Sequence, residues 1–157
     1  MKKIRVIASA ALLSLTALGA VTLTSCTKDD CPIGYEGSDC NTEIREQMIG
    51  TYNAVDVRSD NNTKTYTPIV TKNAGNVTVI NIQEFGDFYS GTTEIVTSNV
   101  TKSGNTISFT IPSQKPDNLY TVSGSGSYDV TTKKVTITYT LSDGISTNNY
   151  SGTWTKI

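Results

Sequence analysis

Val135-Thr136-Ile137-Thr138-Tyr139-Thr140-Leu141 alternates without a slip, every apolar residue on one side of an extended chain and every threonine on the other. β-Branched and aromatic residues suit a pleated surface buried on one face, so this stretch reads as a strand with one dry and one wet side. Ile107, Phe109 and Ile111, with Thr106, Ser108 and Thr110 between them, repeat the arrangement. The same period runs through the chain beyond Gly50. Turn residues interrupt it at Ser59-Asp60-Asn61-Asn62, Asn73-Ala74-Gly75-Asn76, Gly86-Asp87 to Gly91, Ser103-Gly104-Asn105, Lys115-Pro116-Asp117-Asn118, Thr131-Thr132-Lys133 and Ser142-Asp143-Gly144. Seven turns imply eight strands. Short connections and the lack of a crossover helix make consecutive strands antiparallel neighbours, an all-β meander.

An open sheet with one dry face has nothing to pack on, so the meander is expected to curl and close into a barrel. Tyr120, Val122, Gly124, Gly126, Tyr128 and Val130 share one face of a strand, and the paired glycines permit the bend that a small barrel needs. Tyr52, Phe109, Tyr120, Tyr128, Tyr139 and Trp154 are expected to face inward. Val77, Val79, Ile80 and Ile82 slip phase, which predicts a β-bulge. Before Gly50 a short helix is expected, capped by Asn41 or Thr42, with Glu43 and Glu46 at its positive end and Ile44 and Met48 on one face.

The N-terminus carries an address. Lys2, Lys3 and Arg5 precede an apolar stretch from Val6 to Leu23, a signal-peptide pattern too rich in small and hydroxyl residues for a membrane span. It ends in Leu23-Thr24-Ser25-Cys26, which resembles a bacterial lipobox. The resemblance implies cleavage of residues 1–25, a diacylglyceryl thioether on Cys26 and an acyl chain such as palmitate on the new amino group. Several chains anchor a protein stably where one does so marginally. Thr27-Lys28-Asp29-Asp30 then resembles the lysine and acidic pair that sends Bacteroidetes lipoproteins to the cell surface, and residues 26–30 otherwise read as a charged, extended tether. The chain is therefore expected at the outer membrane, lipid-anchored and surface-exposed.

With Cys26 lipidated, the three cysteines leave one pair, Cys31 and Cys40, in a disulfide-permissive compartment. Cys31-Pro32-Ile33-Gly34-Tyr35-Glu36-Gly37-Ser38-Asp39-Cys40 resembles the last disulfide hairpin of EGF-like modules. It covers only 31–40; the other cysteines of such a module and its calcium ligands are absent, so it reads as a rigid stalk cap or a recognition element. Residues 41–157, with a short capping helix, Gly50-Thr51-Tyr52 opening the first strand and Gly152-Thr153-Trp154 closing the last, resemble lipocalin-like barrels. They are similar in particular to the small barrels that follow a partial EGF-like hairpin on Bacteroidetes surface lipoproteins. Tyr52 stands where lipocalins carry a tryptophan, and no ligand residue can be transferred.

Several function classes recede. The 157-residue chain has no histidine, the commonest general base and zinc ligand. No metal, cofactor or catalytic residue is assigned, and no enzyme activity is expected. Two acidic pairs, Glu84 with Asp87 and Asp56 with Asp60, supply the residue type of a glycosidase without any assurance of its spacing. Loss of Lys2, Lys3 and Arg5 with the leader leaves 10 basic against 14 acidic residues, a net charge of −4 without a basic stripe, so nucleic acid is not an expected partner. The one local concentration is Glu84-Phe85-Gly86-Asp87-Phe88-Tyr89. Phe85, Asp87, Phe88 and Tyr89 form a binding-loop candidate, but Phe85 and Phe88 read more readily as a plug for one end of the barrel. The expected partners are the membrane, through Cys26, and a hydrophobic or glycan ligand or an envelope protein. The alternative is a structural or adhesive module whose barrel is filled with its own side chains.

Overall fold

The computed structural model describes residues 31–89 and 93–157. The leader, Cys26 and the tether lie outside the described residues. The strands are β1 (Tyr35–Glu36), β2 (Thr42–Glu43), β3 (Gly50–Arg58), β4 (Thr63–Tyr66), β5 (Ile69–Lys72), β6 (Val79–Gln83), β7 (Val96–Ser103), β8 (Thr106–Gln114), β9 (Thr121–Asp129), β10 (Lys134–Ser142) and β11 (Thr147–Lys156). All pairings are antiparallel, and β11 returns to pair with β3, which closes the barrel. β4 and β5 are two halves of one barrel strand. Both pair with β3, and Thr67-Pro68 separates them. Proline has no N–H to give a ladder, but its carbonyl accepts from the amide of Tyr52 at 3.0 Å. Counted this way the barrel has eight strands, and its connections fall at the seven turns read from the sequence.

Two expectations are corrected. The capping helix is a 3₁₀ turn over Ile44–Met48; Thr42 and Glu43 instead pair with Glu36 and Tyr35, and Glu43 occupies the cap position without a side-chain cap bond. The disulfide hairpin recruits those residues as a strand, so the helix loses its first turn. There is also no bulge over Val77–Ile82. β6 begins at Val79, Val77 lies in the preceding turn, and Ile80 and Ile82 alternate inward normally. The register shift lies between Ile111 and Gln114 opposite β9, where Pro112 interrupts the ladder.

The chain enters the barrel at the end marked by Gly50 and the β5–β6, β7–β8 and β9–β10 turns, here the near end. The 3₁₀ turn covers it: Met48 is buried and its carbonyl accepts from the Tyr52 hydroxyl at 2.6 Å. Arg45 is buried beside it, Nη1 donating to the carbonyls of Asn73, Asn76 and Val79 at 2.6, 2.6 and 2.7 Å and Nε to Glu43 at 2.8 Å. The hairpin, closed by the Cys31–Cys40 disulfide, docks on the same end. Gly34 lies so close to Val77 that a Cβ would come within 2.9 Å of its Cγ2, Gly34 O accepts from the Ile44 amide at 2.9 Å, and Lys102 pairs with Glu36 at 2.7 Å.

Inside, cross-strand register sets a continuous row of Asp56, Gly152, Ile137, Gly126, Phe109 and Val100. Large and small residues alternate along it. A Cβ on Gly126 would lie 2.4 Å from Phe109 Cζ, and one on Gly152 1.8 Å from Asp56 Oδ1. The glycines therefore make room for a ring and a carboxylate as well as for curvature. The neighbouring row on the outer face, Val57, Ser151, Thr138, Ser125, Thr110 and Asn99, carries no charge. Strand alternation thus separates an aromatic interior from a hydroxyl-rich exterior.

Candidate functional site

Asp56 occupies an inward position of β3, in phase with Tyr52 and Ala54, and is fully buried. Its Oδ1 accepts from Trp154 Nε1 at 3.0 Å, and its Oδ2 from the hydroxyls of Tyr66 at 2.6 Å and Tyr139 at 2.9 Å. A buried carboxylate must be hydrogen-bonded or it costs several kcal/mol, and three donors from three strands meet that need. Burial first, and then the Asp56 charge, hold the Tyr66 and Tyr139 hydroxyls well above the ordinary tyrosine range.

The far end of the barrel is closed by the connection after β6, and this is where the binding-loop candidate lies. Phe85 is fully buried, edge-on to Tyr139 at 4.8 Å and to Trp154 at 5.9 Å between ring centres. Tyr89 is also buried and its hydroxyl donates to the Tyr120 carbonyl at 3.1 Å. Phe88 is half-buried, packing on Tyr150 at 5.4 Å, with the Lys64 ammonium 3.9 Å above its ring. Asp87 is exposed, 3.6 Å from Lys64. Three of the four candidate residues are thus gathered at the barrel mouth with their rings turned inward or onto neighbours, and Asp87 alone faces water. Of the expected inward aromatics, Tyr120 falls just before β9 and is half-buried against Phe88; the other five are in the core.

The two acidic pairs part company. Asp56 is inside the wall, and Asp60 is outside it in the β3–β4 turn, bonded to Arg58, whose guanidinium lowers its pKa to about 2. Glu84 is exposed in a left-handed conformation at the start of the plug. Among the described residues no group of three or more Cys, Asp or Glu side chains gathers as a metal site, and no helix is long and apolar enough to cross a membrane.

The outer wall carries a shallow groove of about 600 Å³ over the far halves of β9, β10, β11 and β3. Arg58 and Asn61 border it at the rim, and Ser123, Thr138, Thr140 and Asn149 are among the side chains that line it. The Ser123 and Thr140 hydroxyls bond each other at 3.0 Å. Its polar side chains are hydroxyls and amides apart from Arg58, and Val57 and the flanks of Tyr139 and Tyr150 add apolar surface between them. The sequence shows these residues only as the wet phase of three strands; the barrel register is what brings them side by side. Asp56 did leave a signal, a carboxylate at an inward position of a period-two strand.

No protein-family model and no curated protein matches the chain. Among solved structures, a redesigned β-barrel matches with a TM-score of 0.44 at 18% identity, over 71% of this chain and 93% of its own. A second redesigned β-barrel, mFAP1, bound to DFHBI, matches with a TM-score of 0.42 at 19% identity, over 71% and 96%. Core-bradavidin matches with a TM-score of 0.35 at 16% identity, over 66% and 99%. These are likenesses of barrel architecture.

Proposed function

We propose that this chain is a lipid-anchored outer-membrane protein of the Bacteroidetes type, displayed at the cell surface, that acts by binding and not by catalysis, and that its outer groove takes a neutral glycan. The leader, Cys26 and Lys28-Asp29-Asp30 support the address. The groove carries the binding reading: hydroxyl and amide side chains offer both donors and acceptors, as a sugar does, on a rigid, doubly paired sheet. An open carrier for a hydrophobic ligand fits less well, because Trp154, Tyr52, Phe85 and Phe109 fill the interior and the ends are covered by Met48 and Phe85.

The address is tested by Cys26→Ala, which is expected to abolish lipid labelling and release the protein, and by protease added to intact cells, which is expected to cut it. The binding is tested with the mature chain carrying Cys26→Ser on immobilised neutral oligosaccharides. Thr138→Val and Thr140→Val remove two hydroxyls at constant shape, so the pair is expected to weaken retention roughly tenfold, two neutral hydrogen bonds' worth. Absence of any retained glycan from a folded domain would return the barrel to a structural or adhesive role.

A further inference from the structure

We propose that the far end of the barrel is a second, latent site, for a small organic cation, and that Phe85 occupies it in the closed state. This site is independent of the outer groove. Its first mark is electrostatic. Asp56 is fully buried, its three partners are neutral donors, and none of the ion pairs among the described residues involves it; Lys64, opposite it in the β3–β4 ladder, turns its ammonium to Asp87 and the Phe88 ring instead. A buried carboxylate without a direct ion-pair partner is an expensive way to hold a core together when an apolar residue of similar size would serve.

The second mark is the walls. Trp154, Tyr139 and Tyr66 surround the carboxylate, Tyr66 lying 6.1 Å from Trp154 between ring centres. Aromatic rings beside a fixed negative charge are the surroundings in which an ammonium group is bound well after leaving water, because ring quadrupole and carboxylate attract it together.

The third mark is how the site is filled. Phe85 comes from a connection, whereas the rings around it come from strands. It can leave without breaking a ladder. The segment that inserts it is strained: Glu84, Gly86 and Asp87 have φ of 57, 67 and 58°, two of them non-glycine residues in the left-handed region. Outward movement is expected to let that backbone relax. On the outer side the plug is held by Lys64, through Asp87 and the Phe88 ring, at a half-buried position. The ligand class follows: an ammonium carrying one hydrocarbon group about the size of a phenyl ring, the charge beside Asp56 and the hydrocarbon where Phe85 now sits.

The experiment uses the mature chain with Cys26→Ser, benzyltrimethylammonium as probe and its neutral isostere neopentylbenzene as control. Trp154, the single tryptophan, is the fluorescent reporter. Wild type is expected to respond to the cation more strongly than to the isostere. Phe85→Ala, which removes the competing occupant, is expected to tighten the cation at least roughly tenfold, since the competent state no longer has to be populated against the plug. In that variant the cation is expected to bind roughly tenfold or more tighter than the isostere. Equal binding of both probes would mean a plain apolar cavity and would overturn the proposal. So would a wild type silent to the cation, or a folded Phe85→Ala that binds neither probe. If Phe85→Ala does not fold, Phe85→Leu is judged by the same outcomes, and the wild-type comparison of the two probes stands without any variant.

Discussion

Trp154 and Asp56 meet inside the barrel, indole Nε1 donating to Oδ1 at 3.0 Å, although 98 residues separate them. The bond crosses the seam where the last strand pairs with the first, with Trp154 opposite Ala54 and Gly152 opposite Asp56. A polar bond at the seam therefore supplements the backbone ladder where closure has to be achieved.

Asp56→Ala should be severe. It leaves one indole N–H and two tyrosine hydroxyls without their acceptor, and each unsatisfied buried donor costs about 1–3 kcal/mol. A loss of roughly 3 kcal/mol or more is expected in urea unfolding. A midpoint within experimental error of wild type would show that the three donors find water instead.

Gly152→Ala should destabilise the fold more than Gly104→Ala, although both add one methyl. At Gly152 the added carbon meets Asp56 Oδ1 at 1.8 Å, while at Gly104 it meets nothing within 4 Å. Overpacking costs about 1–3 kcal/mol and often more at such a distance. Gly104 has a φ of 57°, so its substitution carries backbone strain of about 1–2 kcal/mol and no clash. Thermal melts of the two variants side by side decide the order.

Arg45→Met should loosen the near end. The substitution keeps the apolar stem but removes the donor shared by the carbonyls of Asn73, Asn76 and Val79. Hydrogen bonds to a charged group are worth about 1.5–3 kcal/mol. Faster proteolysis in the 73–78 turn than in wild type is the expected readout, and an unchanged cleavage pattern would assign Arg45 a packing role only.

Replacing Cys31 and Cys40 together by Ser should cost about 2–3 kcal/mol at most, the closure entropy of so short a loop. Because the hairpin is docked through Gly34, its loosening should appear as faster exchange of the Ile44 amide, which donates to the Gly34 carbonyl. Protection of that amide equal to wild type would mean that packing alone holds the hairpin in place.

At high pH the barrel should unfold in step with its tyrosines. An unfolded tyrosine loses its proton near pH 10, whereas burial holds Tyr52, Tyr66 and Tyr139 protonated beyond that in the fold. Above about pH 10 the unfolded chain binds fewer protons than the folded one, so stability falls as pH rises. Phenolate absorbance of these three residues should therefore appear together with loss of the native Trp154 emission. Smooth titration of all 8 tyrosines ahead of unfolding would contradict their burial.

Much of the fold was legible because strand alternation is a local signal. Ile107, Phe109 and Ile111 must all face inward in any register that buries them, and the seven turn clusters are made of residues that favour tight connections wherever they stand. The disulfide was legible by counting. Two failures also have local causes: Thr42 and Glu43 have the residue types of a helix start, but the hairpin offered them a strand partner, and Val77 continues an apolar run although the Asn76 carbonyl accepts the amide of Val79 and turns the chain there.

Composition and period by themselves determined that this chain makes antiparallel strands with one dry face and closes its sheet, since both depend on residue type and near-neighbour spacing. Tertiary structure alone decided that Asp56 lies under Trp154, that Phe85 enters the barrel mouth and that Ser123, Thr138 and Asn149 share a concave wall. Those relationships depend on barrel register and on the path of one connection, which bring together residues with no constraint on one another along the chain.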